Sequence, residues 1–329
     1  MSINSATSDD DTPDDGDESG GGPDEVEARV GLRYTLKQVK QDTTARIGTY
    51  IVGFMTFVAV FAAFDYYVLD YAIAEAVLYN PETDPQNVRR LLPPVGMENQ
   101  FGQGVLEHPL GTDHRGRDLL SRTIYGTRIA MTVGFLATAI GLGGGTVIGA
   151  VSGYYGGWID DVLQRVTETI YAIPFLVLVI AFMTAFGRDL TFAMIGVGIT
   201  AIPVFNRLIR SRVVSIREED YVEAARAAGV KDRNIIFRHI IPNSFAPVLV
   251  QATLQVGVSI LIVAGLSFLG FGAQPPTPSW GQMLSASRGY MLPAPTFSIF
   301  PGIAILITVI GFNILGDGLQ DALDPRINN

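Results

Sequence analysis

Two apolar runs, LTFAMIGVGITAIPVFNRLI at residues 190–209 and FAPVLVQATLQVGVSILIVAGLSFLGFG at 245–272, flank a charged stretch whose centre, residues 215–247, reads SIREEDYVEAARAAGVKDRNIIFRHIIPNSFAP. An α-helix needs about 20 predominantly apolar residues to cross roughly 30 Å of hydrocarbon, and each run is long enough. Four further stretches come close: about 49–69, preceded by Arg33, Lys37, Lys40 and Arg46, then about 129–151, 169–187 and 298–316. The predicted fold is therefore all-α, a polytopic membrane bundle of six transmembrane helices. Composition agrees, because 329 residues that are 48% hydrophobic and 17% charged, with a mean hydropathy of +0.31, are too apolar for an ordinary soluble enzyme.

Orientation follows from the basic residues. The stretch between the fourth and fifth spans holds Arg207, Arg210, Arg212, Arg217, Arg226, Lys231, Arg233 and Arg238, whereas the neighbouring short loops hold only Arg188 and Arg288. Lys and Arg stay on the cytoplasmic side in short loops, so this loop is predicted inside, and with six spans both termini lie inside too. Segment 71–128 is then an extracellular loop, whose arginines weigh little because long loops cross largely regardless of charge.

The formal charge of −9 resides entirely in residues 1–30, where ten acids face Arg29 alone; from residue 31 onward 22 acids balance 22 bases. That neutrality offers no general field for a polyanion and argues against nucleic acid as a partner. The acidic, Gly- and Ser-rich residues 1–30 have too few apolar side chains to fold and read as a disordered cytoplasmic tail, not as a signal peptide. Twenty Arg against three Lys, with the acidic tail, point to a salt-adapted prokaryote, with genomic base composition as the competing account. With no cysteine, disulfides, thiolate metal sites and thiol nucleophiles are excluded, and His108, His114 and His239 lack metal-ligand spacing.

Pro174, Pro203 and Pro301 fall inside apolar stretches, where they free backbone carbonyls and favour kinks. GLGGGTVIG at 141–149 lacks the Lys-Ser/Thr ending of a phosphate loop and reads as a surface for close helix packing. Polar groups within spans are candidates for a translocation surface: Gln251, Gln255 and Ser259 recur every four residues in the fifth span, and Asn313 sits in the sixth, with interhelical hydrogen bonding as their alternative use. Between the last two spans, QPPTPSW carries Pro275, Pro276 and Pro278, which stiffen the loop, and Trp280, whose amphipathic ring suits a membrane surface or a partner protein.

Within the basic loop, Ser215 with Glu218 and Asp220 with Glu223 have capping-box spacing and predict a helix start. Ala224, Ala225, Ala227 and Ala228 give that helix a small-residue face, and Gly229 supplies a left-handed end. A second helix is predicted from Asp232, pairing Ile236 with Ile240 and Phe237 with Ile241, closed by Pro242 and Pro247. Such a pair of short helices is a docking element. Glu223-Ala224-Ala225, Gly229 four residues beyond and Pro242 resemble the EAA coupling motif of ABC importer permeases, although His239 and Ile241 depart from its general pattern. HPLGTDHRGRDLLSRTIYGTRIA at 108–130, GYYGGWIDDVLQR at 153–165, LSFLGFGAQPPTPSWGQML at 266–284 and FNILGDGLQDALDP at 312–325 are similar to the C-type permease subunit of dipeptide, oligopeptide and nickel importers, a likeness covering about residues 46–329.

The resemblance implies a type I ABC importer transmembrane fold. Residues 31–70 then form the N-terminal segment and first helix, 129–317 the transmembrane domain with its coupling loop at 211–242, and 318–329 a cytoplasmic tail. It also implies a B-type permease, two ABC ATPases and an extracellular solute-binding protein as partners in the plasma membrane, in contact with lipid. ATP and Mg would be bound by the ATPases and no cofactor by this chain, which has no GxxxxGK[ST]. Cargo is expected to be peptides, with nickel complexes, glutathione or oligosaccharides as alternatives. An intramembrane enzyme, suggested only by Asp317, lacks a second carboxylate, and a stand-alone channel would not need the docking loop.

Overall fold

The computed structural model describes residues 42–86 and 88–323; the acidic tail at 1–30 and the last residues of the C-terminal tail lie outside that range. Helices α1 (Thr43–Val68), α3 (Leu119–Tyr155), α6 (Leu190–Arg217), α10 (Phe245–Phe268) and α12 (Thr296–Leu323) are each long and apolar enough to cross a membrane. The third predicted span is not one straight helix. It is α4 (Gly157–Ala172) and α5 (Phe175–Phe186), bent by 93° where Pro174 removes a backbone donor, so six spans result only if this pair counts as one. Pro203 and Pro301, by contrast, lie inside continuous helices.

Three long helices begin at an aspartate: Asp42 accepts from the Ala45 amide at 2.6 Å, Asp118 from Ser121 at 2.7 Å and Asp189 from Thr191 at 2.7 Å. Each carboxylate satisfies an amide that the first turn leaves unpaired and complements the positive helix end. At α1, Phe54, Phe57 and Val60 are more than half exposed, as a lipid-facing surface requires. The α3–α6 contact rests on the glycine run. A Cβ on Gly145 would come 2.4 Å from Phe205 Cβ, and one on Gly141 would come 2.5 Å from Ala201 Cβ, so only glycine lets these backbones approach so closely.

One end of the bundle carries the stretch 218–244, and the other a folded cap. The cap contains α2 (Ala72–Val77), the small hairpin β1 (Glu98–Asn99) and β2 (Gly102–Gln103), with Glu98 opposite Gln103, and α11 (Trp280–Ser287) from the last loop. Segment 71–128 is thus not wholly a loop, since α3 already begins at Leu119, and α12 runs past the expected limit at 317 to Leu323, with Asp317 exposed inside it.

Candidate functional site

The stretch after α6 folds as α7 (Asp220–Ala227), α8 (Asp232–Ile235), a π turn (Ile236–Ile240) and α9 (Ile241–Asn243), leading directly into α10. Neither capping box forms. Ser215 lies within α6, and α7 starts from Glu219 with no side-chain cap. Gly229 has φ +77° as expected, and the Val230 amide returns to the Ala225 carbonyl at 3.1 Å, a Schellman closure. Pro242 and Pro247 do not end the second helical segment: the helical run passes through Pro242, and Pro247 sits in the first turn of α10, where its missing donor would be unpaired anyway.

One side of this stretch is locked to the bundle. Val222, Ile235, Ile236 and Ile240 are buried against Ala150, Tyr154, Ile209 and Val213 from the ends of α3 and α6. The Tyr154 hydroxyl donates to Asp232 at 2.7 Å, and Arg217 donates to the Gly153 and Tyr154 carbonyls at 3.1 Å each. Facing outward are Glu223, Ala224, Ala227 and Ala228, with Phe237 59% exposed; Ala225, expected on the same face, is half-buried toward the bundle. Ile236 and Ile240 turn inward as a pair, whereas Phe237 points away from the half-buried Ile241.

Behind the loop a polar network ties the bent span to α6. Arg210 Nε donates to Asp160 at 2.7 Å, the buried Asn206 amide donates to Gln164 Oε1 at 2.9 Å and Thr167 Oγ1 at 3.2 Å, and Gln164 donates to Ser152 Oγ at 3.0 Å. Of the expected translocation residues, Gln255 and Ser259 are buried within the chain's own packing, Gln251 is half-buried and Asn313 is exposed. The first two thus present no open surface.

The cap corrects a further expectation. Trp280 is not an exposed aromatic: it is 2% exposed, and its Nε1 donates to the Thr123 carbonyl at 2.9 Å. Pro275 and Pro276 are exposed and Pro278 is buried, with the Pro276 carbonyl accepting from Arg122 Nη1 at 3.2 Å. Arg122, fully buried, also donates to the Pro81 carbonyl and to Gln282 Oε1 at 3.2 Å. Beside it Asp113 accepts from Arg117 Nε at 2.8 Å, and Asp118 accepts from His108 at 3.0 Å. The residues of HPLGTDHRGRDLLSR thus spend their charge on one another, on Pro81 and Asp84, and on the last loop. Of these pairs only the four-residue spacing of Asp113 with Arg117 was a signal available in the sequence. At the start of the cap, burial first and then Glu82, whose carboxylate accepts from the Tyr71 hydroxyl at 2.9 Å, push the Tyr71 phenol well above its ordinary range.

A bundle with a bent span, and a helical loop clamped between two spans with its outer side bare, is a membrane component made for attachment to other subunits. Residues 145–329 match the family of binding-protein-dependent transport system inner membrane components. The chain belongs to this family. It is 42% identical over 297 residues to a dipeptide transport system permease protein, DppC, of Alkalihalophilus pseudofirmus, covering 90% of each chain. It is 41% identical over 244 residues to a glutathione transport system permease protein, GsiD, of Pectobacterium atrosepticum, covering 72% of this chain and 81% of that protein. The fold is shared with the inward-facing MetNI methionine ABC transporter, at 20% identity and a TM-score of 0.52 over 63% of this chain and 98% of that one. The protein is accordingly a multi-pass inner-membrane permease subunit of an ABC importer with the type I transmembrane fold, not a catalytic chain.

Proposed function

We propose that this permease imports dipeptides or similarly small peptides, glutathione among them, and forms half of the route across the membrane. The observation that carries the reading is the loop at 218–244: its inner side is fixed to α3 and α6 by Val222, Ile235, Ile240 and Asp232, while its outer side presents Glu223, the alanines and Phe237 to a partner. A docked ATPase pressing on that side would move two spans, because the loop is continuous with α6 and α10. The partners in this reading are a B-type permease, two ABC ATPases that bind ATP and Mg, and a solute-binding protein delivering cargo at the cap end. The basic residues of the loop support a cytoplasmic placement for it and for both termini. The acid-rich tail and Arg bias support a saline habitat.

The test is uptake by the complex reconstituted in vesicles with its binding protein. Labelled dipeptide, glutathione, a nickel complex and an oligosaccharide are offered in parallel at constant salt. ATP-dependent accumulation of dipeptide or glutathione is the expected result; accumulation of only the nickel complex or the oligosaccharide overturns the cargo assignment.

A further inference from the structure

A cavity of about 180 Å³ opens in the cap between α2, the loop at 79–85 and the stretch 108–118, at the end of the bundle away from the coupling loop. Six of the side chains in its wall carry hydrogen-bonding chemistry: Glu75, Tyr79, Thr83, His108, Arg117 and Asp118. Pockets for drug-sized ligands run to about 300–1,000 Å³, so this one is on the scale of an amino acid or a very short peptide.

Three of these groups have bonding capacity left over. Arg117 is 2% exposed, and its backbone amide and its Nε both donate to Asp113, at 3.0 and 2.8 Å, which holds the guanidinium in place. Its buried Nη1 nevertheless has no acceptor among the described residues. Buried donors are normally satisfied, and a bare guanidinium nitrogen on a residue that walls a cavity calls for an acceptor from within it. His108 is 3% exposed, with Nδ1 3.0 Å from Asp118 Oδ1. Asp118 also accepts from the Ser121 amide, so it acts as a carboxylate and the shared proton sits on Nδ1 of the histidine. In the neutral ring Nε2 is then an acceptor, its orientation fixed by Asp118 and by the Tyr79 ring, whose centre is 4.6 Å away. Glu75 accepts from the Asn80 amide through Oε1 at 3.1 Å and keeps its second oxygen.

The wall thus pairs one cationic donor with two acceptors. A metal ion does not fit, because among the described residues no three His, Asp or Glu side chains converge, and Arg117 would repel it. A simple anion would meet the donor but also Glu75 and Asp118, while Asp113 already offsets the guanidinium charge. A ligand with a carboxylate at one end and an ammonium group at the other satisfies both kinds of group. We propose that this cavity binds a small zwitterion, a free amino acid or a dipeptide, with its carboxylate on Arg117 Nη1 and its ammonium group on His108 Nε2 and Glu75. The assignment stands whether or not peptides are the cargo that crosses the membrane.

Thr83 lines the cavity and is exposed, and the chain has no cysteine, so Thr83→Cys places a unique thiol of this subunit at the site while leaving Arg117, His108 and Glu75 in place. The assembled complex, purified without binding protein, is treated with a charged methanethiosulfonate, and labelling of this subunit is followed by mass. Dialanine, dialanine amide, N-acetyl-dialanine and acetate are titrated as protectants. Dialanine is expected to slow labelling about tenfold once it reaches about ten times its Kd, as mass action requires of an occluded site, with the other three markedly weaker. Arg117→Gln in the same background is expected to abolish protection while leaving the unprotected labelling rate unchanged. Absence of protection by dialanine, equal protection by acetate, or protection that survives Arg117→Gln overturns the proposal. If Arg117→Gln does not assemble, dialanine amide decides the same point in an intact cavity, and protection equal to that of the acid overturns the assignment. No transport enters the measurement, so its failure leaves the cargo reading untouched, and failure of dipeptide uptake leaves this site standing.

Discussion

The Trp280 indole nitrogen reaches across 157 residues of sequence to donate to the Thr123 carbonyl, and its ring fills the notch left by Gly126, where a Cβ would come within 2.8 Å of Cδ1. The loop after α10 is thereby pinned to the opening turns of α3, beside Arg122, which binds the same loop at Pro276. The last loop and the opening turns of α3 are thus joined by a ring and a guanidinium, both buried.

Trp280→Phe keeps most of the packing and loses one hydrogen bond, an expected cost of about 0.5–1.5 kcal/mol. Trp280→Ala empties the notch and should cost about 3–5 kcal/mol, and Gly126→Ala, by overpacking, about 1–3 kcal/mol. Thermal unfolding of the assembled complex in detergent measures all three. If the two residues share one contact, Gly126→Ala combined with Trp280→Ala costs less than the sum of the single changes.

Asn206→Leu should unsettle the bent span without touching the coupling loop. It strips the buried amide from Gln164 and Thr167, and each polar group left unsatisfied costs about 1–3 kcal/mol. Arg210→Gln, at a pair whose arginine side chain is 37% exposed, should cost about 1 kcal/mol or less. Melting of the purified complex ranks the two, and a larger loss for Arg210→Gln contradicts the view that buried amides anchor α4.

The apolar runs announced the long helices because period-independent hydropathy over about 20 residues is a strong signal. Asp42, Asp118 and Asp189 add clear starts in the structure, although only the loop's capping boxes were read from the sequence, and those do not form. Gly229 was legible for a local reason: a left-handed turn needs little beyond its own residue. Trp280 was misread since a ring among prolines is equally suited to a membrane surface, and its true partner, the Thr123 carbonyl, is a backbone group with no sequence signature. Gln255 and Ser259 share a helical face, as periodicity said, but which neighbour covers that face depends on tertiary packing. The break at Pro174 was foreseeable as a kink; its size of 93° and the contacts of Asp160, Gln164 and Thr167 with α6 are tertiary facts with no local sequence signal.

His114 provides a pH dependence confined to the cap. Its ring stacks near Tyr290 at 5.9 Å and Phe297 at 5.8 Å, and burial, opposed by Asp113 and reinforced by Arg117, Arg115 and Arg122, holds its pKa below the ordinary 6.5. A folded-state pKa below the unfolded value means that the unfolded cap takes up the proton first. Stability is then unaffected above about pH 6.5 and declines as pH falls below it. Hydrogen exchange at residues 108–118 should quicken between pH 6.5 and 5 after correction for the intrinsic rate, and His114→Phe should abolish that increase. An unchanged profile in His114→Phe assigns the effect to another group.

Gly229 separates conformation from contact in the coupling loop, because a Cβ there would meet nothing within 4 Å while φ stands at +77°. Substitution therefore acts only through the backbone. Gly229→Asn should be close to silent, since Asn enters the left-handed region readily, Gly229→Ala should lie between, and Gly229→Val should cost roughly 1–2 kcal/mol of loop geometry. Glu223→Gln removes an exposed charge in the first turn of α7, worth only about 0.3–1 kcal/mol to the helix, so any larger effect on transport reports contact with a partner. In reconstituted complexes that still assemble, Gly229→Val is expected to retain basal ATP hydrolysis and lose dipeptide uptake, while Gly229→Asn keeps both. Full coupling in Gly229→Val would show that the turn does not carry the motion, because a loop free to bend at residue 229 could not pass force from its outer alanines to Ile235 and Ile240 on the ends of α3 and α6.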